Sequence, residues 1–396
     1  MEPLIKNRSH AQDIAKCLLI VAVVAFHALM IVYSREEVAG QFNPLLVMFP
    51  FLLGVFFFYS GYNYNPGKRT FGENLKRRTL QLLVPMVVCT IVDGVLVGLF
   101  VRFGTGESWN DISDSFLNAI MGDATAIMTG FAKTHNIIDL VELIGLTWFI
   151  YVLYFASIPF YLLVDYTNKK LSRLISVVTG VLLVGYLIGQ FVPFGTYLPY
   201  GLNSLPVALA LMLTAAYLKQ TNFLDRPHND KKSNVLGIIN ILAAWGIIIG
   251  TGLICYYAYN TTLVGSLMGG SFNAKLKGLD CFLAFLFGIL GTYIMHQIGR
   301  AMDLLPGVRV ALTYVGERSA LLYLTHPIFL AFFDAIVFHR NLLIGPFQPY
   351  LYTIGTVLMF VIYRILWEML LNRIKMRASK EKAQKAQTKE IEDNGK

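Results

Sequence analysis

A chain of 396 residues that is 56% hydrophobic and only 14% charged, with mean hydropathy +0.57, is not a soluble domain, since soluble domains carry about 25% charged residues. Apolar runs of about 20 residues recur along nearly the whole length, which fits membrane helices better than the weak alternation of a barrel. The net charge of +9 is no nucleic-acid signal, because the basic residues sit in short loops where membrane topology accounts for them.

In chain order the sequence predicts ten spans: 17–34, 44–64, 79–103, 138–164, 174–193, 199–218, 234–257, 278–297, 311–333 and 347–371. With the N-terminus in the cytoplasm, the inner segments collect Lys6, Arg8 and Lys16, then Lys68, Arg69, Lys76, Arg77 and Arg78, then Lys169, Lys170 and Arg173. Further inner segments hold Lys219, Arg226, Lys231 and Lys232, then Arg300 and Arg309, and last the tail after Arg373. The outer segments hold only Arg35, Arg102, Lys133, Lys275, Lys277 and Arg340. This loop-by-loop bias predicts an all-α membrane protein, a polytopic bundle of about ten transmembrane helices with both N- and C-termini cytoplasmic. The first span reads as a retained helix rather than a cleaved signal, since apolar spans continue after it and no clear cleavage site follows.

Residues 1–372 read as one transmembrane domain and 373–396 as a basic, polar cytoplasmic tail, a juxtamembrane helix against anionic lipid. In the outer loop 104–137, Trp109, Ile112, Phe116 and Ile120 recur at helical spacing. They predict a helix lying in the interface, with a re-entrant segment as the alternative. Cys17, Cys89, Cys255 and Cys281 all fall in apolar stretches without CxxC spacing, so neither a disulfide framework nor a metal site is expected. No internal repeat is visible, which tells against a transporter built from inverted halves.

Five constellations carry polar chemistry into these spans. The first is Arg8-x4-Asp13-x2-Lys16-x10-His27. Asp13 and Lys16 share a helix face. His27 comes eleven residues after Lys16, about 16 Å further along a helix, near mid-membrane or beyond it. A histidine at that depth is costly to keep, and its near-neutral pKa suits proton transfer. The plain alternative is a positive-inside cap followed by a polar helix contact.

The second is Phe56-Phe57-Phe58-Tyr59-Ser60-Gly61-Tyr62, an aromatic run ending in small residues that admit a close helix. The third is Lys68, Arg69, Lys76, Arg77 and Arg78, followed by Pro85, a cluster suited to phosphates of a nucleotide cofactor or of lipid headgroups. The fourth is Trp148-Phe149, with Asp139 and Glu142 before it, placed to meet sugar hydroxyls or simply to begin a solvated helix. The fifth runs from Gly316 to Pro327, where Tyr323 and His326 stand three apart on one face.

In order and spacing these residues resemble acyltransferase family 3, a family of integral membrane proteins. The family's R-x4-D-x2-K-x10-H pattern is matched by Arg8, Asp13, Lys16 and His27, and its FFF-x-SGY end to the second span by Phe56 to Tyr62. Its WF pair is matched by Trp148 and Phe149, and its G-x2-S-x3-YL-x-HP run by Gly316, Ser319, Tyr323, Leu324, His326 and Pro327. One departure stands out: where the family often carries R-x-x-R before the third span, Arg78 is followed three positions later by Gln81.

The resemblance implies transfer of an acyl group, usually acetyl, from cytoplasmic acetyl-CoA or another acyl-CoA. The acceptor it implies is a hydroxyl of a cell-envelope glycan or related surface molecule, at the plasma membrane of a bacterium. On that reading His27 handles the proton, as base or as transient acyl carrier. Arg8 and Asp13 organise the inner mouth, and Lys76, Arg77 and Arg78 hold the CoA phosphates. Trp148, Glu142, Tyr323 and His326 lie on the acceptor side. No metal and no nucleic acid enter; membrane lipid is the remaining partner. The rival reading is a transporter or flippase for a glycan or amphiphile, with His27, Asp93 and His326 as a proton path.

Overall fold

The computed structural model describes residues 10–33, 52–105, 148–191, 199–224, 231–259, 279–339 and 347–394. All regular structure among them is helical. The helices are α1 (His10–Tyr33), α2 (Leu52–Tyr62), α3 (Phe71–Arg78), α4 (Val84–Thr105), α5 (Trp148–Thr167), α6 (Leu171–Phe191) and α7 (Leu205–Lys219). They continue as α8 (Lys231–Tyr259), α9 (Asp280–Asp303), α10 (Pro306–Glu317), α11 (Ser319–His339) and α12 (Gln348–Asn394). A π-helical turn, Thr79–Leu83, joins α3 to α4, and a 3-10 turn, Pro199–Ser204, leads into α7.

The centre of the bundle is α7. Its sequence is apolar on every side, and Ala208 through Ala216 are all buried, as expected of a helix with no polar stripe to turn outward. Around it pack α2, α5, α6 and α9, while α1 lies against α9, α10, α11 and α12. Helices in lipid gain little from apolar burial and associate by close packing at small residues. Here a Cβ on Gly61 of α2 would fall 2.1 Å from the Met212 carbonyl oxygen of α7. Two turns earlier on nearly the same face of α2, a Cβ on Gly54 would lie 3.0 Å from the Cα of Gly288 in α9.

The N-terminal turns of α1 are gripped in the same way from two directions. A Cβ on Gly299 of α9 would sit 2.2 Å from the Ala11 carbonyl oxygen, and one on Gly316 of α10 would sit 1.8 Å from that of Asp13. Gly316 opens the fifth sequence constellation, and backbone contact with α1 is its physical reason.

The periphery is apolar and bare. Leu183 and Val184 of α6, Ile238 and Leu242 of α8, and Ile354 and Leu358 of α12 are all exposed. Soluble proteins do not leave so much contiguous apolar surface uncovered; lipid covers it here. Among the described residues six helices are long and apolar enough to cross a membrane, and Leu52–Tyr62, Gly237–Thr251 and Ser319–Leu330 are shorter apolar helices. The chain is thus an all-helical, multi-pass membrane protein, with six such helices by that measure where the sequence suggested about ten.

Two stretches differ from expectation. The single span expected over 311–333 is broken into α10 and α11 at Arg318, whose backbone leaves helical geometry at φ −107°, ψ 13°. The Arg318 guanidinium lies over the Tyr314 ring, donates to the Tyr314 carbonyl at 3.0 Å and pairs with Glu368 of α12 at 3.1 Å, so the break is anchored to a neighbouring helix. The span expected from 138 is described only from Trp148, and the proposed interfacial helix in 104–137 falls mostly outside the described residues.

Candidate functional site

Four of the five sequence constellations converge on one buried place. His27, in the second half of α1, meets His326 of α11, 299 positions away in sequence, with Nδ1 of His27 2.8 Å from Nε2 of His326. The ring centroids are 5.0 Å apart and the planes only 15° from parallel. So long a centroid separation beside so short a nitrogen contact means the imidazoles meet edge to edge, along a hydrogen bond, rather than face to face. His27 keeps 7% of its surface exposed and His326 keeps none. His27 is therefore the member of the pair that another molecule can reach.

Aromatic side chains wall the pair. Phe26 meets His27 edge-on at 5.6 Å, and Tyr323 lies 5.5 Å from His326. Phe149, near the start of α5, packs on Tyr323 at 5.3 Å and on Phe57 of α2 at 4.7 Å. The Trp148-Phe149 pair thus divides its work. Phe149 touches the histidine wall. Trp148 fills the space above Gly201, whose φ of +68° suits glycine and where a Cβ would fall 2.6 Å from the indole.

Behind the pair, His326 Nδ1 lies 2.5 Å from the carbonyl oxygen of Tyr323, one turn back in α11. The next residue, Pro327, sits inside the same helix.

A second polar cluster forms at the N-terminal end of α1. Asp13, buried to 1%, pairs with Lys16 at 3.2 Å. The Lys16 ammonium lies 5.9 Å from the ring centroid of Tyr59 in α2, within cation–π range. The Tyr59 hydroxyl reaches Nδ1 of His296 in α9 at 3.4 Å. Asp13 stands fourteen residues before His27, about 21 Å along the helix, so it belongs to this cluster and does not touch the histidine pair. His296, 1% exposed, was not singled out from the sequence. The signal that finds it is the one that found His27, an imidazole inside an apolar helix.

The third polar region is built on α3. Thr70 caps this helix: its hydroxyl accepts from the Glu73 amide at 3.3 Å, and its own amide donates to the Glu73 carboxylate at 2.8 Å, a reciprocal capping box. Those Thr70 contacts hold the Glu73 carboxyl below its usual range. The box fixes where α3 starts, and so which way its basic residues face. Lys76 and Arg77 are exposed.

Arg78 turns inward instead. Its Nε donates to the Tyr161 hydroxyl of α5 at 2.9 Å, and its Nη2 donates to the Ser60 hydroxyl of α2. The π turn that follows widens the helix just before Pro85, which brings no amide hydrogen and whose ring crowds the carbonyl of residue 81. Such turns often mark functional sites. The three consecutive basic residues are therefore divided between an exposed pair and a guanidinium that ties α3 to the Ser-Gly end of α2.

Arg8 and Glu142 lie outside the described residues, as do Asp139 and the side chain of Asp93. Among the described residues no three histidine, cysteine or carboxylate groups gather as metal ligands.

Comparison with known families gives one finding: a family model described as an acyltransferase domain, that of acyltransferase family 3, matches residues 10–367, nearly the whole chain. No curated protein and no solved structure matches significantly.

Proposed function

Because the chain belongs to acyltransferase family 3, and so is a membrane acyltransferase, we propose that it moves an acyl group, acetyl in the first place, from cytoplasmic acyl-CoA to a hydroxyl of a cell-envelope glycan or related surface molecule. The observation that carries this reading is the His27–His326 pair, reachable only at His27 and walled by the motif aromatics.

The chemistry asks for a base within hydrogen-bond reach of the attacking hydroxyl. The acceptor oxygen adds to the thioester carbonyl carbon, and the ring nitrogen Nε2 of His27 takes its proton. As the tetrahedral intermediate collapses, the carbon–sulfur bond breaks and His27 returns the proton to the departing thiolate. The products are an ester and free CoA thiol, with no net change in the enzyme. His326 disperses the charge that His27 gains during the exchange. Lys76 and Arg77 meet the CoA phosphates, and Arg78 holds α3 in place beside them. Arg8 and Asp13 shape the mouth on the cytoplasmic side, while Trp148, Glu142 and Tyr323 border the acceptor side. The termini are cytoplasmic and the membrane is the bacterial plasma membrane on this reading. A donor entering from one side and an acceptor from the other lets the acyl group cross without the CoA.

Purified protein given acetyl-CoA and isolated envelope glycan should release thiol and add an acetyl-sized mass to the glycan. Intact thioester after prolonged incubation, with glycan transport instead, would overturn the proposal. In the same assay, Lys76→Glu with Arg77→Glu should raise the KM for acyl-CoA about tenfold at low salt, equivalent to about 1.4 kcal/mol. The difference should shrink as salt screens the exposed charges, and kcat should hold. An unchanged KM would place the phosphates elsewhere.

A further inference from the structure

Pro327 sits inside α11 and takes no part in the chemistry described so far, yet its missing amide hydrogen reaches the histidine pair. In an α-helix each amide hydrogen goes to the carbonyl four residues back. Proline has none, so the carbonyl of Tyr323 receives nothing from residue 327. His326 Nδ1 occupies that position, 2.5 Å from the Tyr323 oxygen. A carbonyl oxygen only accepts, so the nitrogen facing it must carry a hydrogen; two lone pairs at that distance would repel. The hydrogen bond made by one ring nitrogen fixes the state of the other. With Nδ1 protonated, neutral His326 presents a lone pair on Nε2. That lone pair faces Nδ1 of His27 at 2.8 Å. His27 Nδ1 must then be the donor, which leaves the lone pair of His27 on Nε2, the free side of its ring.

We propose that Pro327 is a positioning residue: by withholding an amide hydrogen from Tyr323, it fixes the tautomer of His326 and, through it, directs the basic nitrogen of His27 outward. The inference rests on the proposed function only for its consequence, since the tautomers exist whether or not acyl-CoA binds. An ordinary residue at 327 brings an amide hydrogen that competes for the same oxygen, and His326 is then free to rotate or to protonate at Nε2.

The test is nitrogen-15 NMR of protein labelled at histidine, in detergent micelles without substrate, with the His326 signals assigned by their loss in His326→Gln. Wild-type protein should show His326 protonated at Nδ1 with an acceptor-type Nε2. Pro327→Ala should shift His326 toward Nε2 protonation or a mixture, and kcat should fall about tenfold with the KM for acyl-CoA little changed. Pro159→Ala, which removes a proline inside α5 far from His326 in sequence, should leave the His326 signals as they are. Protonation at Nε2 of His326 in the wild type overturns the proposal even if Pro327→Ala does not fold. Unaltered His326 signals in folded Pro327→Ala overturn it as well. A correct tautomer in protein that never cleaves acyl-CoA leaves this inference standing and defeats the functional one.

Discussion

His27→Ala protein, purified in detergent and eluting as the wild type does, is expected to transfer acyl groups at least about 10²-fold more slowly, the low end of what a positioned general base contributes. The loss should fall on kcat. The exposed cations Lys76 and Arg77 lie on α3, outside the histidine wall, so donor binding should survive. His326 does not substitute for it in place, because it is wholly buried behind His27, one ring further from where His27 Nε2 would meet the hydroxyl. The measurement is single-turnover transfer from labelled acetyl-CoA at saturating donor. A rate within threefold of wild type from well-folded protein would remove His27 from the chemistry.

The largest structural effect is expected at Gly316→Ala. The added methyl would sit 1.8 Å from the Asp13 carbonyl oxygen, far inside contact distance, and the obstacle is backbone rather than a flexible side chain. Either α10 or the start of α1 must move. Since α1 also carries His27 and is gripped on its other side at Gly299, that movement propagates toward the histidine pair. Overfilling a packed interior costs about 1–3 kcal/mol, and a contact this short belongs at the upper end. Gly307→Ala, in the same helix with nothing within 4 Å of the new methyl, is the matched control. It should be neutral or slightly stabilising, because alanine favours helix over glycine by about 1 kcal/mol. Thermal loss of monodisperse protein in detergent measures both. Equal midpoints for the two variants would mean that the α1–α10 contact is looser than described.

These expectations show where sequence reading reaches and where it stops. Apolar run length marked the chain as an all-helical membrane protein, because a membrane span is a local property of about 20 residues. Spacing within α1 put Asp13 and Lys16 on one face, where they pair at 3.2 Å. The contact between His27 and His326 was not legible, since it joins residues 299 positions apart and no periodicity links them. Only the intramembrane position of each imidazole marked it. The three basic residues at 76–78 looked equivalent in sequence. The π turn beside Pro85 and the reach of Arg78 to Ser60 and Tyr161 make one of them different, and both depend on how α3 meets α2 and α5. The break at Arg318 was likewise hidden, because the run 311–333 that crosses it has the length of a single span while the partner that holds the break, Glu368, comes fifty residues later. Gly316 was visible as a motif residue, but its reason, the Asp13 carbonyl, was not.

In the proposed mechanism the two imidazoles act as one unit, with His27 exchanging the proton and His326 supporting it. The most direct test is a double-mutant cycle on kcat with His27→Ala and His326→Gln, each variant checked for folding. His326→Gln alone should lower kcat about tenfold, yet change the already slow His27→Ala enzyme by less than about twofold, as groups that work together are non-additive. Equal, independent losses in both backgrounds would contradict that mechanism.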